Sequence, residues 1–262
     1  MLGVDLATKE RFANVKAVYF DLDDTLCGYW LASRAGLRAT FEKHPVAGKT
    51  TEEMIQAWGN TFREYSPELK EKTKLYHEYL TSGTITRTHQ MQLTLLSLGI
   101  DDMELTKDLS ESYMFERDRN LKLFPESISV LTALHRDYPL GLITNGPADI
   151  QNQEVDTLKI RPFFKNIFIE GELRIGKPHQ VVFDQAASAV NLPADQLLMV
   201  GNSYGHDIEP AIEYGWVTAW VRRDTDVAIS SRTGLPEAID ESRPKPDIII
   251  SDLSDLLPLL GC

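Results

Sequence analysis

A chain of 262 residues with 42% hydrophobic and 25% charged residues has room for one large domain carrying a sizeable insertion, and its composition is that of an ordinary globular protein. The formal net charge of −12 argues against a nucleic-acid-binding surface, and 2 Cys exclude both a disulfide framework and a thiolate zinc site. No run is apolar for long enough to span a bilayer, and the opening stretch MLGVDLATKERF carries charge where a signal peptide needs an apolar core, so a cytoplasmic location without a membrane partner is expected.

The first element read from the sequence is a short apolar run, Ala17, Val18, Tyr19 and Phe20, of the kind that forms a buried parallel strand. Three carboxylates follow within four positions: Asp21, Asp23 and Asp24. Ligands of open α/β sheets bind beyond the carboxyl ends of the strands, and Asp21 with Asp23 could hold a hard cation such as Mg²⁺. A polar turn in which Asp24 or Thr25 caps the next helix explains the same residues.

From Tyr29 to Glu116 the periodicity is helical, with helices expected over 31–44, 51–65, 74–83, 87–100 and 104–120. Breaks are expected at Pro45 to Gly48, at Ser66-Pro67 and at Gly99 to Asp102. Strands and helices alternate thereafter. Helices are expected over 125–138, 149–159, 180–190, 209–214 and 253–260, and strands over 140–143, 166–169, 196–200, 217–221 and 247–250. The segment 222–245 reads as a polar surface loop. Repeated β-α units with short connections predict an α/β fold with a doubly wound parallel sheet. The core would comprise residues 1–27 and 117–262, with an all-helical domain inserted over 28–116.

Chemistry-bearing residues recur at the expected strand ends. Thr144, Asn145 and Gly146 could cradle phosphate oxygens, or form an ordinary Asn-Gly turn. Lys177 lies in a stiff Gly-Lys-Pro turn, where a solvated lysine is the plain alternative. Gly201 to Asp207 brings Asn202, Ser203 and Asp207 to the end of another strand, a composition that also suits a helix N-cap.

In this order the pieces resemble the haloacid dehalogenase-like hydrolase superfamily across almost the whole chain. Its D-x-D-x-T motif corresponds to Asp21-Leu-Asp-Asp-Thr25, its strand-ending hydroxyl to Thr144, its lysine to Lys177, and its G-D-S-x-x-x-D motif to Gly201-Asn-Ser-Tyr-Gly-His-Asp207. The stretch from Thr144 to Pro178 is similar to N-acylneuraminate-9-phosphatase-like and pyrimidine-nucleotidase-like members. The resemblance implies a Rossmann-like core, a helical cap, and Mg²⁺-dependent hydrolysis of a small phosphorylated metabolite, a sugar phosphate or nucleoside monophosphate. It assigns Asp21 as the nucleophile and Asp23 as general acid and base, with Thr144 and Lys177 completing the catalytic set. Thr144, Asn145 and Lys177 would bind the substrate, and Asp21, Asp23, Asn202 and Asp207 would bind the metal. Members resembling 2-haloacid dehalogenases lack an acid at the position of Asp23, because a halide needs no proton to leave; Asp23 therefore favours phosphoryl transfer.

Asn202 departs from the pattern, since the family usually has Asp there. One negative charge fewer implies weaker Mg²⁺ binding, which Asn202→Asp is expected to tighten. The alternatives are a phosphomutase, or a weakly active or inactive relative that binds a phosphorylated ligand or partner. Arg34 and Arg38, four apart on the first inserted helix, could face an anionic substrate or form an exposed polar face, and His206 could approach the site or lie in a solvated loop.

Overall fold

The computed structural model describes residues 5–71 and 73–262. Residues 1–4, part of the charged opening stretch, lie outside the described residues. The chain starts with helix α1 (Leu6–Asn14), which the sequence reading missed, and Asp5 caps it by accepting from Thr8 N. Strand β1 (Ala17–Phe20) follows.

Five helices then succeed one another: α2 (Tyr29–Lys43), α3 (Thr51–Glu71), α4 (Thr73–Thr81), α5 (Gly83–Ser97) and α6 (Met103–Asn120). Their starts are chemically marked. Thr50 and Glu53 bond reciprocally at the head of α3, Ser82 caps α5, and Asp102 accepts from Glu104 N and Leu105 N at α6. The expected break at Ser66-Pro67 is absent, because α3 runs through Pro67. Proline removes one helical donor, but Tyr65 and Leu69 on either side are both buried, so packing of a continuous apolar face overrides the local penalty.

The alternating part comprises α7 (Ser127–Leu134), β2 (Leu140–Thr144), α8 (Ala148–Thr157), β3 (Phe164–Ile169), α9 (Glu170–Leu173), α10 (Gln180–Val190), β4 (Leu197–Gly201), α11 (Glu209–Glu213), β5 (Val217–Val221), β6 (Ile248–Ile250) and α12 (Leu256–Leu260). Among the described residues six strands pair in parallel in the order β3-β2-β1-β4-β5-β6. The chain leaves β1 for one side of the sheet and later returns to build the other, so the doubly wound α/β architecture is present and its switch point falls at the end of β1. Alternate β1 residues serve opposite faces. Val18 and Phe20 join a core with Phe12, Val130 and Leu256, whereas Ala17 and Tyr19 join one with Phe183 and Trp216.

The five successive helices enclose a core of their own, including Leu37, Phe41, Met54, Trp58, Met91 and Leu109. Its neighbour Ile229 comes from the segment expected to be a polar surface loop. Arg63 Nε donates to Ser230 O at 2.7 Å and Arg34 Nη2 to Val227 O at 3.2 Å, so residues 226–230 strap α2 and α3 to the sheet. Segment 222–245 contains no regular helix or strand, as expected, but this part of it is packed rather than solvated. Among the described residues, no helix is long and apolar enough to cross a membrane.

Candidate active site

The chain leaves β1 at Phe20 and places Asp21 at the switch point, between the ends of β2 and β4. Two hydrogen bonds fix its carboxylate: Lys177 Nζ donates to Oδ1 at 2.7 Å and Thr25 Oγ1 to Oδ2 at 3.0 Å. Lys177 is buried and also donates to Asp207 Oδ1 at 2.6 Å and to Ile143 O at 2.8 Å. All three ammonium donors are thereby used, and the plain alternative of a solvated lysine is excluded.

Asn145 explains how Lys177 is held. Its Nδ2 donates to Lys177 O at 2.7 Å, and its Oδ1 accepts from Lys177 N at 2.8 Å. Both polar ends of a residue expected to touch substrate are thus spent on the lysine backbone, although Asn145 still lines the cavity. Thr144 Oγ1 donates to Gln151 Oε1 at 2.5 Å. Gln151 Nε2 in turn donates to Asp23 Oδ2 and to Glu154 Oε2, each at 3.2 Å. Behind them Arg117, 1% exposed, pairs with Glu154 and with Asp118, and its guanidinium lies over the Tyr29 ring.

This network sets the protonation of the early carboxylates. Burial pushes Asp23 well above the usual carboxylate range, the Glu154 charge raises it further, and Arg117 opposes both. Burial raises Asp21 to about 6; Lys177 pulls it down while Asp207 adds to the rise. Burial by itself would depress Lys177, but Asp207 and Asp21 outweigh it and hold the ammonium above its ordinary value. Asp24, in the left-handed region at φ 57°, accepts from Trp30 N at 3.2 Å, close to the capping role weighed for it, and burial with the nearby Asp226 raises it to about 8.

Asn202 sits at the end of β4. Its backbone N donates to Thr25 Oγ1 at 3.0 Å, its Oδ1 lies 3.3 Å from the same hydroxyl, and its Nδ2 donates to Asp226 Oδ2 at 2.8 Å. Asp226 is carried in by the strap and was not identified from the sequence, where nothing marks it within a polar segment. Asp207 Oδ2 accepts from Ser203 N at 2.9 Å, and His206 Nδ1 lies 3.0 Å from Ser203 Oγ. A cavity of about 440 Å³ brings together Asp21, Asp23, Thr144, Asn145, Lys177, Asn202 and Asp207, with His206 also in its lining. Arg34 and Arg38 are absent from that lining; Arg34 holds the strap and Arg38 pairs with Glu52 at 2.6 Å.

The oxygens here suit a hard divalent cation. Among the described residues no three His, Cys, Asp or Glu side chains form a ready-made cage. Mg²⁺ does not require one, because it usually keeps several waters and takes only one or two carboxylates. Asp21, Asp207, the Asn202 amide oxygen and the Asp23 carbonyl would be the donors of such a site.

Residues 18–221 match the family of haloacid dehalogenase-like hydrolases, and the chain belongs to it. The chain is 24% identical over 251 residues to the N-acylneuraminate-9-phosphatase of Rattus norvegicus, covering 95% of this chain and 94% of the relative. It is 29% identical over 267 residues to the phosphoglycolate phosphatase of Escherichia coli (strain K12), covering 96% and 94%. The fold is similar to that of the magnesium-bound putative HAD-hydrolase YfnB from Bacillus subtilis, with a TM-score of 0.69, 20% identity, and coverage of 95% of this chain and 99% of that one.

Proposed function

We propose that this haloacid dehalogenase-like hydrolase is a Mg²⁺-dependent phosphatase of small phosphorylated metabolites, working through a phosphorylated Asp21. The observation that carries the reading is the pairing of two unlike carboxyls at the end of β1. Asp21 is held by Lys177 and Thr25 as an oriented nucleophile, while Asp23 is half-buried beside Glu154 and raised toward its protonated form. A nucleophile must be ionised and a general acid protonated, and environments that push two carboxyls apart assign the two roles. The phosphatase names of the two curated relatives support the same chemistry.

Asp21 attacks phosphorus, and the proton on Asp23 passes to the departing alkoxide. Asp23, now ionised, then accepts a proton from the water that hydrolyses the acyl phosphate. Gln151, which donates to Asp23 Oδ2, aims that carboxyl. Lys177 offsets charge on the phosphoryl oxygens, and the Thr144 hydroxyl, now held by Gln151, can turn toward them. Asp21, Asp207, Asn202 and the Asp23 carbonyl would hold Mg²⁺, which when bound offsets the repulsion between Asp21 and an anionic substrate. Residues 28–116 act as a cap over a core of 1–27 and 117–262, and their helices roof the reaction cavity.

The test is hydrolysis of p-nitrophenyl phosphate with and without Mg²⁺, by wild type and by Asp21→Asn, with acid-quench trapping of phosphoenzyme. Loss of a group that acts in concert with others costs on the order of 10⁴ in turnover or more, and no phosphoenzyme should form in the variant. Near-normal turnover by Asp21→Asn would place the nucleophile elsewhere.

A further inference from the structure

A second cavity, of about 150 Å³, lies between the helical layer, with α3 and α5 as its main walls, and the segment from Asn145 to Gln151 at the end of β2 and start of α8. It shares Asp23, Tyr29, Ser66, Tyr79 and Asn145 with the reaction cavity, so the two adjoin. Six aromatic side chains line it, with Trp58 and Phe62 stacked at 5.0 Å and Tyr113 against Trp58 at 5.9 Å. Three atoms in this lining are buried with no hydrogen-bond partner among the described residues: Arg87 Nη1, Tyr65 Oη and Gln90 Oε1. Gln90 is not loosely placed. Its Nε2 donates to Trp58 O at 3.0 Å and Thr61 Oγ1 at 2.8 Å, which fixes the amide and leaves Oε1 as a free acceptor.

Buried polar groups are normally satisfied, and three unsatisfied ones around one cavity are unusual. Arg87 is the strongest of the signals. Arg117 is paired with Glu154 and Asp118, Arg223 with Glu126, and Arg243 with Glu209. Arg87 has no carboxylate opposite it among the described residues, and the only acid in the cavity lining is Asp23. Arg87 is half-buried, but its Nη1 is buried and unpartnered; such a guanidinium is stabilised by an anion, and its planar fork matches a carboxylate with two parallel hydrogen bonds.

We infer that the substrate is a phosphorylated carboxylic acid whose carboxylate is bound by Arg87 in this aromatic cavity, with a hydroxyl or amino group donating to Gln90 Oε1. The inference rests on the phosphatase reading for the phosphate end alone. It gives the helical layer a specific task, which is to measure the separation of two anionic ends of one small molecule.

The experiment compares esters that differ at one end, 3-phosphoglycerate with glycerol 3-phosphate and phosphoserine with phosphoethanolamine. Wild type should favour the acid of each pair by about ten- to a hundredfold in kcat/KM, the range of one hydrogen-bonded charge pair. In Arg87→Gln the ratio within each pair should fall toward one, mainly through KM, and Arg87→Lys should restore part of it. Binding of the same esters to Asp21→Asn, followed by calorimetry, should show the same preference without turnover. Equal handling of acid and alcohol esters by wild type, a preference that survives Arg87→Gln, or a stronger preference for nucleoside monophosphates overturns the inference while leaving the phosphatase reading intact. If no ester is hydrolysed but Asp21→Asn still binds the acids preferentially through Arg87, the phosphatase reading fails and the carboxylate site stands.

Discussion

The hydrogen bond from Asn202 Nδ2 to Asp226 Oδ2, 2.8 Å long, changes what Asn202→Asp should do. From the sequence alone, restoring the usual acid adds a negative charge beside the metal and tightens Mg²⁺ binding. In the structure that substitution removes a donor and sets two carboxylates against each other. Two unit charges about 3 Å apart repel by roughly 5 kcal/mol at an effective dielectric near 20. That is enough for the pair to take up one proton near neutral pH rather than carry both charges. Asp226 is already raised by burial, so it is the natural site for that proton. The single variant should therefore gain little Mg²⁺ affinity at pH 7. Asp226→Asn alone keeps an acceptor for the Asn202 amide but removes a negative charge beside the metal site, and should weaken Mg²⁺ binding about tenfold, the lower end of what lost outer-shell partners cost. The double variant Asn202→Asp/Asp226→Asn moves the charge to the inner position and restores a donor–acceptor pair. It should bind Mg²⁺ about tenfold more tightly than the single Asn202→Asp protein. Calorimetric Mg²⁺ titration of all four proteins at pH 7 is the assay. If Asn202→Asp alone binds as tightly as the double variant, the two side chains do not share charge and the reasoning fails.

Lys177→Met should destabilise the protein by about 3–5 kcal/mol at neutral pH, because it strands Asp21 and Asp207 in the interior. Asp21 would rise beyond about 6, so the penalty should vanish below the unfolded value near 4 and grow with pH, which urea denaturation at several pH values can check. Glu154→Gln removes a charge that raises Asp23 and frees the Arg117 charge that lowers it, so the alkaline limb of kcat for a poor leaving group should move to lower pH. An unmoved limb in that pH–rate profile would separate Glu154 from the general acid. At Gly36, where α2 crosses α6, an added Cβ would lie 2.7 Å from Arg117 N and 2.8 Å from Arg117 Cα. Gly36→Ala should therefore cost about 1–3 kcal/mol by thermal denaturation, with part of the loss appearing as displacement of Arg117.

The strands were legible because a fully buried parallel strand writes an unbroken apolar run, as β1, β4 and β5 do. Asp21, Thr144, Lys177 and Asp207 were legible for a related reason: each stands where such a run stops or where a short turn follows it. What escaped lies on helix faces and in loops, where the local pattern carries no such signal. Arg117 falls among Glu116, Asp118 and Arg119 and reads as one more charge at a solvated helix end, yet it is buried against Glu154 of α8. Glu154 and Gln151 are spaced three apart on α8, which is a face signature, but only the packed structure says that the face looks at Asp23. Arg87 and Asp226 meet the site from segments distant in the chain. Pro67 misled in the opposite direction, since a strong local breaker yielded to the burial of its neighbours.

The carboxyls themselves connect the metal to the stability of the fold. Asp21 and Asp24 are raised to about 6 and about 8, and burial comes first among the causes in both. Their folded values lie above the unfolded carboxylate value near 4, so ionising them costs stability progressively as pH rises through that window. A divalent cation favours the ionised forms and should reverse that cost. At pH 5 both groups are largely protonated without metal, and Mg²⁺ must compete with protons at Asp21; at pH 8 Asp21 is ionised beforehand. Mg²⁺ at a hundred times its Kd stabilises the folded state by about 2.7 kcal/mol. At one fixed Mg²⁺ concentration the rise in Tm should therefore be larger at pH 8 than at pH 5, and Asp21→Asn should flatten the difference. Thermal scans with Mg²⁺ and with a chelator, at both pH values, measure it. Equal shifts at the two pH values would mean that the metal is held by groups other than this raised carboxylate.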